Sequence, residues 1–163
     1  MEPNPEFCAV HRALGYEILQ YACADYDRDE VPFFVVDQKG VEYEGGKVTF
    51  EAFSALGVRY AAEAPEARQI MVNVRTCESL LTEHAPDLQT IDILSIDVEG
   101  WELEVLRGLD FEKRRPRVVI VENIVEQAGN LCRDFLTQKG YSLWRHVGTD
   151  DVYERLSAAN ISA

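Results

Sequence analysis

The chain is poor in basic residues and has no apolar run long enough to span a membrane. Its 163 residues include 16 Lys and Arg against 29 Asp and Glu, which gives a formal net charge of −13. Binding to a phosphate backbone needs clustered Lys and Arg, so we expect no nucleic-acid partner. The one basic cluster, residues 113–117, is typical of a solvated loop. No apolar run approaches the roughly 18 residues that a membrane span needs, so we expect no membrane partner.

Cysteine and histidine are few and do not have the spacing of metal ligands. The four cysteines contain no Cys-x-x-Cys pair, and the three histidines contain no ligand-like pair. We therefore expect no metal site. The chain suits a reducing compartment, and the N-terminus does not have the pattern of a signal peptide. Together these absences predict a cytoplasmic protein.

Glycine motifs that bind phosphates are also absent. Neither Gly-x-Gly nor Gly-Lys-Ser/Thr occurs in the chain. A nicotinamide-dependent oxidoreductase would fit a strand–helix pattern but would need the glycine fingerprint. The sequence also offers no Ser-His-Asp arrangement for nucleophilic catalysis, so other residues must carry the chemistry.

An acidic turn between an apolar run and a helical pattern is the main feature that is present. Residues 91–106 predict a buried strand, a turn with Asp97 and Glu99, and an amphipathic helix. Residues 118–121 predict a second strand, which ends at Glu122. Two parallel strands joined by one helix would place the three acidic residues along one edge of a sheet. Open α/β sheets bind their ligands at that edge.

The rest of the chain alternates between strand and helix patterns. Together the patterns predict a mainly parallel α/β sheet with a C-terminal antiparallel hairpin. We expect one domain over residues 1–163, with a lid or insertion at residues 37–68, where periodicity is weak. The predicted helices cover residues 6–15, 125–138 and a segment capped by Thr76; the predicted strands cover residues 17–24, 31–36 and 71–74, and the hairpin joins residues 141–147 to 151–156.

Several polar residues are candidates for a site, and each has a structural alternative. Asp97 and Glu99 would also be stabilised simply by standing at a helix N-terminus. Glu122 and Asn123 either line the cleft or form a solvated strand end. Asp25 either reaches the base of a nucleoside or is a turn residue. His146 is the only fair candidate for a histidine general base.

Residues 93–108 resemble the signature segment of the FkbM-type S-adenosylmethionine-dependent methyltransferases. The resemblance spans nearly the whole chain and is weakest over residues 37–68. It implies a Rossmann-like methyltransferase sheet and S-adenosylmethionine as the cofactor. Supporting matches are Glu2-Pro3-Asn4-Pro5, Arg75-Thr76, residues 116–122 and Gly140-Tyr141.

The resemblance also implies roles for individual residues. Glu2 becomes a ribose ligand, with Asn4 in the same segment, and Asp97 and Glu99 face the sulfonium and the acceptor. The family's first strand and glycine-rich turn precede the Glu-Pro-Asn-Pro segment, and here Met1 stands at that place. We therefore expect a sheet that is N-terminally incomplete, and weak binding of S-adenosylmethionine by residues 1–163.

Two hypotheses of function follow. In the first, the domain transfers a methyl group from S-adenosylmethionine to a hydroxyl of a small-molecule acceptor, either a sugar or glycan or a secondary metabolite. Asp97, Glu99 or His146 would take the proton, and Glu122 and Asn123 would bind the acceptor. In the second, the chain is a truncated or degenerate non-catalytic remnant that acts as a binding or interaction module. The sequence predicts no oligomeric state.

Overall fold

A computed structural model describes residues 1–36, 41–43, 46–48, 55–56, 67–123 and 126–156. These residues form a mixed α/β protein in two compact units, Met1–Arg75 and Thr76–Ala163. In the described ranges, no helix is long and apolar enough to cross a membrane.

The first unit is built on a four-stranded sheet in the order β1-β6-β2-β5. Strand β1 runs parallel to β6, whereas β2 is antiparallel to both β6 and β5. Alternate residues of the two long strands, Phe33 and Val35 on β2 and Val72 and Val74 on β6, are buried. The elements are α1 (Pro5–Ala13), β1 (Ala22–Cys23), β2 (Arg28–Val36), β3 (Val41–Tyr43), β4 (Gly46–Val48), β5 (Ala55–Leu56) and β6 (Ala67–Arg75), with β3 and β4 paired as a separate hairpin.

The second unit carries another four-stranded sheet, in the order β7-β8-β10-β9. Strands β7 and β8 are parallel, and β10 is antiparallel to both β8 and β9. The elements are α2 (Cys77–His84), β7 (Ile93–Ile96), α3 (Glu102–Arg107), α4 (Phe111–Arg114), β8 (Val118–Glu122), α5 (Glu126–Gln138), β9 (Tyr141–Val147) and β10 (Asp150–Arg155). The side chain of Thr76 accepts a hydrogen bond from the amide of Ser79, which confirms the predicted cap of α2.

The prediction of a mainly parallel sheet is not confirmed, because both large sheets are mixed. Among the described strands only two pairings are parallel, β1 with β6 and β7 with β8. Parallel neighbours need a crossover connection, whereas short turns return the chain antiparallel. The predicted C-terminal hairpin is present as β9 and β10. The short helix α4 was not predicted.

Strand β7 lies at the edge of its sheet among the described strands, and this corrects the expectation of a buried strand. Its one described neighbour is β8. Ile93 is 62% exposed and Ser95 is exposed, whereas Ile96 is buried. An apolar run has the same appearance in a central strand and in an edge strand, so the sequence pattern could not separate the two.

Most of the predicted lid, residues 37–68, lies outside the described residues. The described parts of that segment are strands β3, β4 and β5 and the beginning of β6. The lid and the single domain over residues 1–163 remain predictions.

A buried ion pair holds α2 against the segment before β8. The guanidinium of Arg114 is 1% exposed and donates to the carboxylate of Glu78 at 3.0–3.2 Å. The same guanidinium donates to the carbonyl of Leu88 and to the hydroxyl of Thr82. Burial opposes ionisation of Glu78, but hydrogen bonds from Arg114, Lys113 and Thr82 outweigh it and hold its pKa at about 2.

Candidate functional site

The turn after β7 has an unusual backbone. Asp97 follows the strand directly, and two later residues of the turn, Glu99 and Gly100, have left-handed φ angles of 55° and 93°. A left-handed non-glycine residue costs of order 1 kcal/mol and persists only where its surroundings hold it. The buried carboxylate of Glu102 does so by accepting hydrogen bonds from the amide of Gly100 at 2.9 Å and that of Val98 at 3.4 Å.

Three acidic side chains meet at this edge of the sheet. Glu122 ends β8, the parallel neighbour of β7. One carboxylate oxygen from each of Asp97, Glu99 and Glu122 lies within 4.8 Å of the other two. Asp97 is exposed and the other two are half-buried. The topology predicted from the sequence therefore brings these three residues together, and we name them the acidic cluster.

Burial and mutual repulsion change the protonation of the acidic cluster. Burial, followed by the charges of Asp97 and Glu102, raises the pKa of Glu99 to about 7. Burial, followed by the charges of Asp97 and Glu99, raises the pKa of Glu122 to about 8. At neutral pH Glu122 is therefore mostly protonated and can donate a hydrogen bond. Glu99 titrates in the range where a carboxylate works well as a general base.

The acidic cluster also has the oxygen donors that hard divalent cations prefer. The sequence predicts no metal site, on the evidence of cysteine and histidine spacing alone. Carboxylates that come from two strands have no fixed spacing in the sequence, so the search by spacing could not find this arrangement. The described residues thus include one place, the acidic cluster, with the geometry for such a cation.

The predicted cofactor ligands of the first unit have structural contacts of their own. Asn4 is buried and caps α1, because its side-chain oxygen accepts from the amide of Glu6 at 2.9 Å. A carboxylate oxygen of Glu2 accepts from the amide of Asn4 at 2.7 Å, and burial raises the pKa of Glu2. Asp25 is exposed in the turn after β1. Asp97, the remaining predicted cofactor ligand, lies in the second unit and belongs to the acidic cluster.

Replacing Asn4 separates its capping role from a role in cofactor binding. We expect Asn4→Ala to lower the free energy of unfolding by about 1 kcal/mol, because the first turn of α1 loses its cap. Asn4→Ser retains a capping oxygen and should unfold nearly as the wild type does in urea. Equal stability of the alanine variant and the wild type would contradict the capping role. Loss of cofactor binding by the stable serine variant would assign Asn4 to the cofactor.

Two further candidates, Asn123 and His146, contact a residue that the sequence analysis missed. The side-chain amide of Asn123 donates to Oδ2 of Asp151 at 3.1 Å, and Nδ1 of His146 lies against Oδ1 of Asp151. Asp151 is 1% exposed. In the sequence it looked like a hairpin residue. The available signal was the alternation that places it on the same side of β10 as buried Tyr153.

Comparison with known proteins identifies the class to which this α/β chain belongs. The Methyltransferase FkbM domain matches residues 1–143, so the chain belongs to the FkbM methyltransferase family. No solved structure matches the chain.

Two curated relatives are methyltransferases by name. Methyltransferase 1 of Beauveria bassiana (strain ARSEF 2860) is 35% identical over 74 residues, which are 45% of this chain and 28% of the relative. Methyltransferase sdnD of Sordaria araneosa is 38% identical over 90 residues, which are 50% of this chain and 35% of the relative. The chain therefore spans about a third of the length of these relatives.

Proposed function

We propose that this domain transfers a methyl group from S-adenosylmethionine to a hydroxyl of a small-molecule acceptor, a sugar or a secondary metabolite. One observation carries the proposal: the acidic cluster lies at the carboxyl ends of two parallel strands, inside the region that matches the methyltransferase family. Family membership indicates the reaction class, and the position of the cluster indicates the residues. A Rossmann-like arrangement of the sheet belongs to the same proposal.

In this reaction the acceptor oxygen attacks the methyl carbon as the carbon–sulfur bond breaks. The bonding electron pair goes to sulfur, which yields S-adenosylhomocysteine, and the hydroxyl proton goes to a base. We assign that base to Glu99, because its raised pKa, about 7, keeps a useful fraction unprotonated at neutral pH while retaining basicity. The exposed carboxylate of Asp97 would face the positive sulfonium of the bound methyl donor.

The remaining residues of the site orient the acceptor. Protonated Glu122 can donate a hydrogen bond to an acceptor oxygen, since its pKa is about 8. The methyl donor is already reactive, so the protein contributes mainly by aligning the two reactants. Glu2 and Asp25 lie in the first unit, and their roles at the ribose and at the base of a cofactor stay predictions from the sequence.

Calorimetry and a product assay test this function. With methyl-labelled S-adenosylmethionine at millimolar concentration and a panel of sugars and hydroxylated metabolites, we expect S-adenosylhomocysteine and a methylated product. Calorimetric titration should show weak binding by residues 1–163, because no Gly-x-Gly turn is present to hold the amino-acid end of the cofactor. Micromolar binding would contradict that expectation. Glu2→Gln, which removes the carboxylate predicted to bind the ribose, is the control variant in the same titration. Product no greater than in a reaction without protein would favour the alternative, a non-catalytic binding or interaction module.

A further inference from the structure

A buried carboxylate links four parts of the second unit beside the acidic cluster. Asp151 on β10 accepts from the hydroxyl of Tyr153 at 3.0 Å and from the side-chain amide of Asn123 at 3.1 Å, both at Oδ2. Its Oδ1 pairs with Nδ1 of His146 on β9, and Arg133 on α5 lies 3.6 Å from Oδ2. We name these five residues the Asp151 cluster.

The burial of Asp151 is costly enough to need these partners. Moving a carboxylate out of water costs several kcal/mol, which only close counter-charges and hydrogen bonds offset. Here a guanidinium, an imidazole, a phenol and an amide surround a side chain that is 1% exposed. Asp151 lies within β10, so its partners tie this strand to β9, to α5 and to the end of β8.

The backbone connects the Asp151 cluster to the acidic cluster. Asn123 is the residue after Glu122, and its backbone amide donates to the carbonyl of Thr149 in the hairpin turn at 2.8 Å. In the sheet, Glu122 is opposite Asp150 and Val121 is opposite Asp151. Side chains alternate along a strand, so Asp151 and Glu122 point to opposite faces of the sheet. Asp151 therefore does not touch the acceptor from this position but can hold the strand end that presents Glu122.

We propose that Asp151 is a positioning residue that holds Asn123, and with it the end of β8, in the place where Glu122 meets the acceptor. The part of this inference that concerns the acceptor rests on the proposed function. Because Nδ1 of His146 lies against Oδ1 of the same carboxylate, we expect the proton of the neutral imidazole to be on Nδ1. In a neutral imidazole this leaves Nε2 as the hydrogen-bond acceptor.

Nuclear magnetic resonance of the full chain with ¹⁵N-labelled histidine tests the contact with His146. At alkaline pH we expect His146 as the Nδ1–H tautomer in the wild type, and a loss of that preference in Asp151→Asn. His11 and His84 are internal references in the same spectrum. Tyr153→Phe removes one hydroxyl from the cluster but keeps the charge, so it should leave the tautomer unchanged. His146 with its proton on Nε2 in the wild type would overturn the inference.

Hydrogen exchange separates positioning from general stability. We expect Asp151→Asn to speed exchange of the backbone amide of Asn123 at least tenfold relative to that of Val119, in the middle of β8. A merely structural role would speed both amides alike, and that result would overturn the inference. If Asp151→Asn does not fold, Asn123→Ala replaces it, with the same expected difference between positions 123 and 119.

Activity distinguishes this inference from the proposed function. With an acceptor from the panel above, Asp151→Asn should lower kcat about tenfold and change KM less than threefold. An unchanged kcat would overturn the positioning of Glu122. If the tautomer and exchange results hold but the wild type transfers no methyl group, the contacts of Asp151 stand and the proposed reaction is wrong.

Discussion

Replacing Glu99 by glutamine is expected to lower the rate of methyl transfer by about two to four orders of magnitude, the usual contribution of a positioned general base. Glutamine has nearly the shape of glutamate, so the left-handed turn held by Glu102 should persist. It cannot accept the hydroxyl proton at neutral pH. Initial rates of S-adenosylhomocysteine formation measure the effect.

The pH dependence of the same reaction gives an independent check. The base must be unprotonated, so the wild-type rate should rise with pH through about 7, the pKa of Glu99. Asp97→Asn removes one repelling charge, lowers that pKa and should move the rise to lower pH. Asp92→Asn is the matched control. Asp92 comes directly before the first residue of β7, at the other end of the strand from Asp97, and is 80% exposed. Equal rates for Glu99→Gln and the wild type would exclude Glu99 as the base.

Replacing Glu78 by glutamine is expected to lower the free energy of unfolding by about 3 kcal/mol. Removing one partner of a buried ion pair leaves the other charge uncompensated. Here Arg114 would stay buried beside a neutral amide, although its contacts with Leu88 and Thr82 remain. Denaturation by urea at pH 7 measures the loss. Glu112→Gln is the control. Glu112 is 79% exposed and forms a surface ion pair with Arg115 at 3.8 Å, so its replacement should change stability little.

The sign of the pH effect follows from the lowered pKa of Glu78. The ordinary pKa is 4.5 and the folded-state pKa is about 2, so the carboxylate contributes fully above pH 4.5. That contribution should fall away as the pH drops from 4.5 towards 2. Glu78→Gln should lack this part of the acid dependence. A variant with the same stability and the same acid dependence as the wild type would contradict the role of the pair.

Local patterns in the sequence were sufficient for the elements around the site. The apolar runs before Asp97 and Glu122 formed adjacent parallel strands, since the pattern and the intervening helix both require a crossover. Thr76 capped α2, and the turn near Gly148 joined the terminal hairpin. The cap and the hairpin turn depend on hydrogen bonds within a few residues, whereas the pairing of β7 with β8 follows from the crossover between them. The meeting of the acidic cluster follows from that pairing, because both strands end at the same edge of the sheet.

The tertiary structure alone decided which groups are buried and which contacts they make. Three charged residues stand where the sequence pattern is typical of exposed positions, yet all three are buried with partners: Asp151, Glu102 and Arg114. Ile93 is apolar and exposed, because β7 lies at an edge of the described sheet. Burial depends on which distant elements pack together, and a charge can be buried only where distant partners offset its desolvation. The sequence therefore determined the edge of the sheet at which the acidic cluster stands, whereas packing determined the raised pKa values of Glu99 and Glu122.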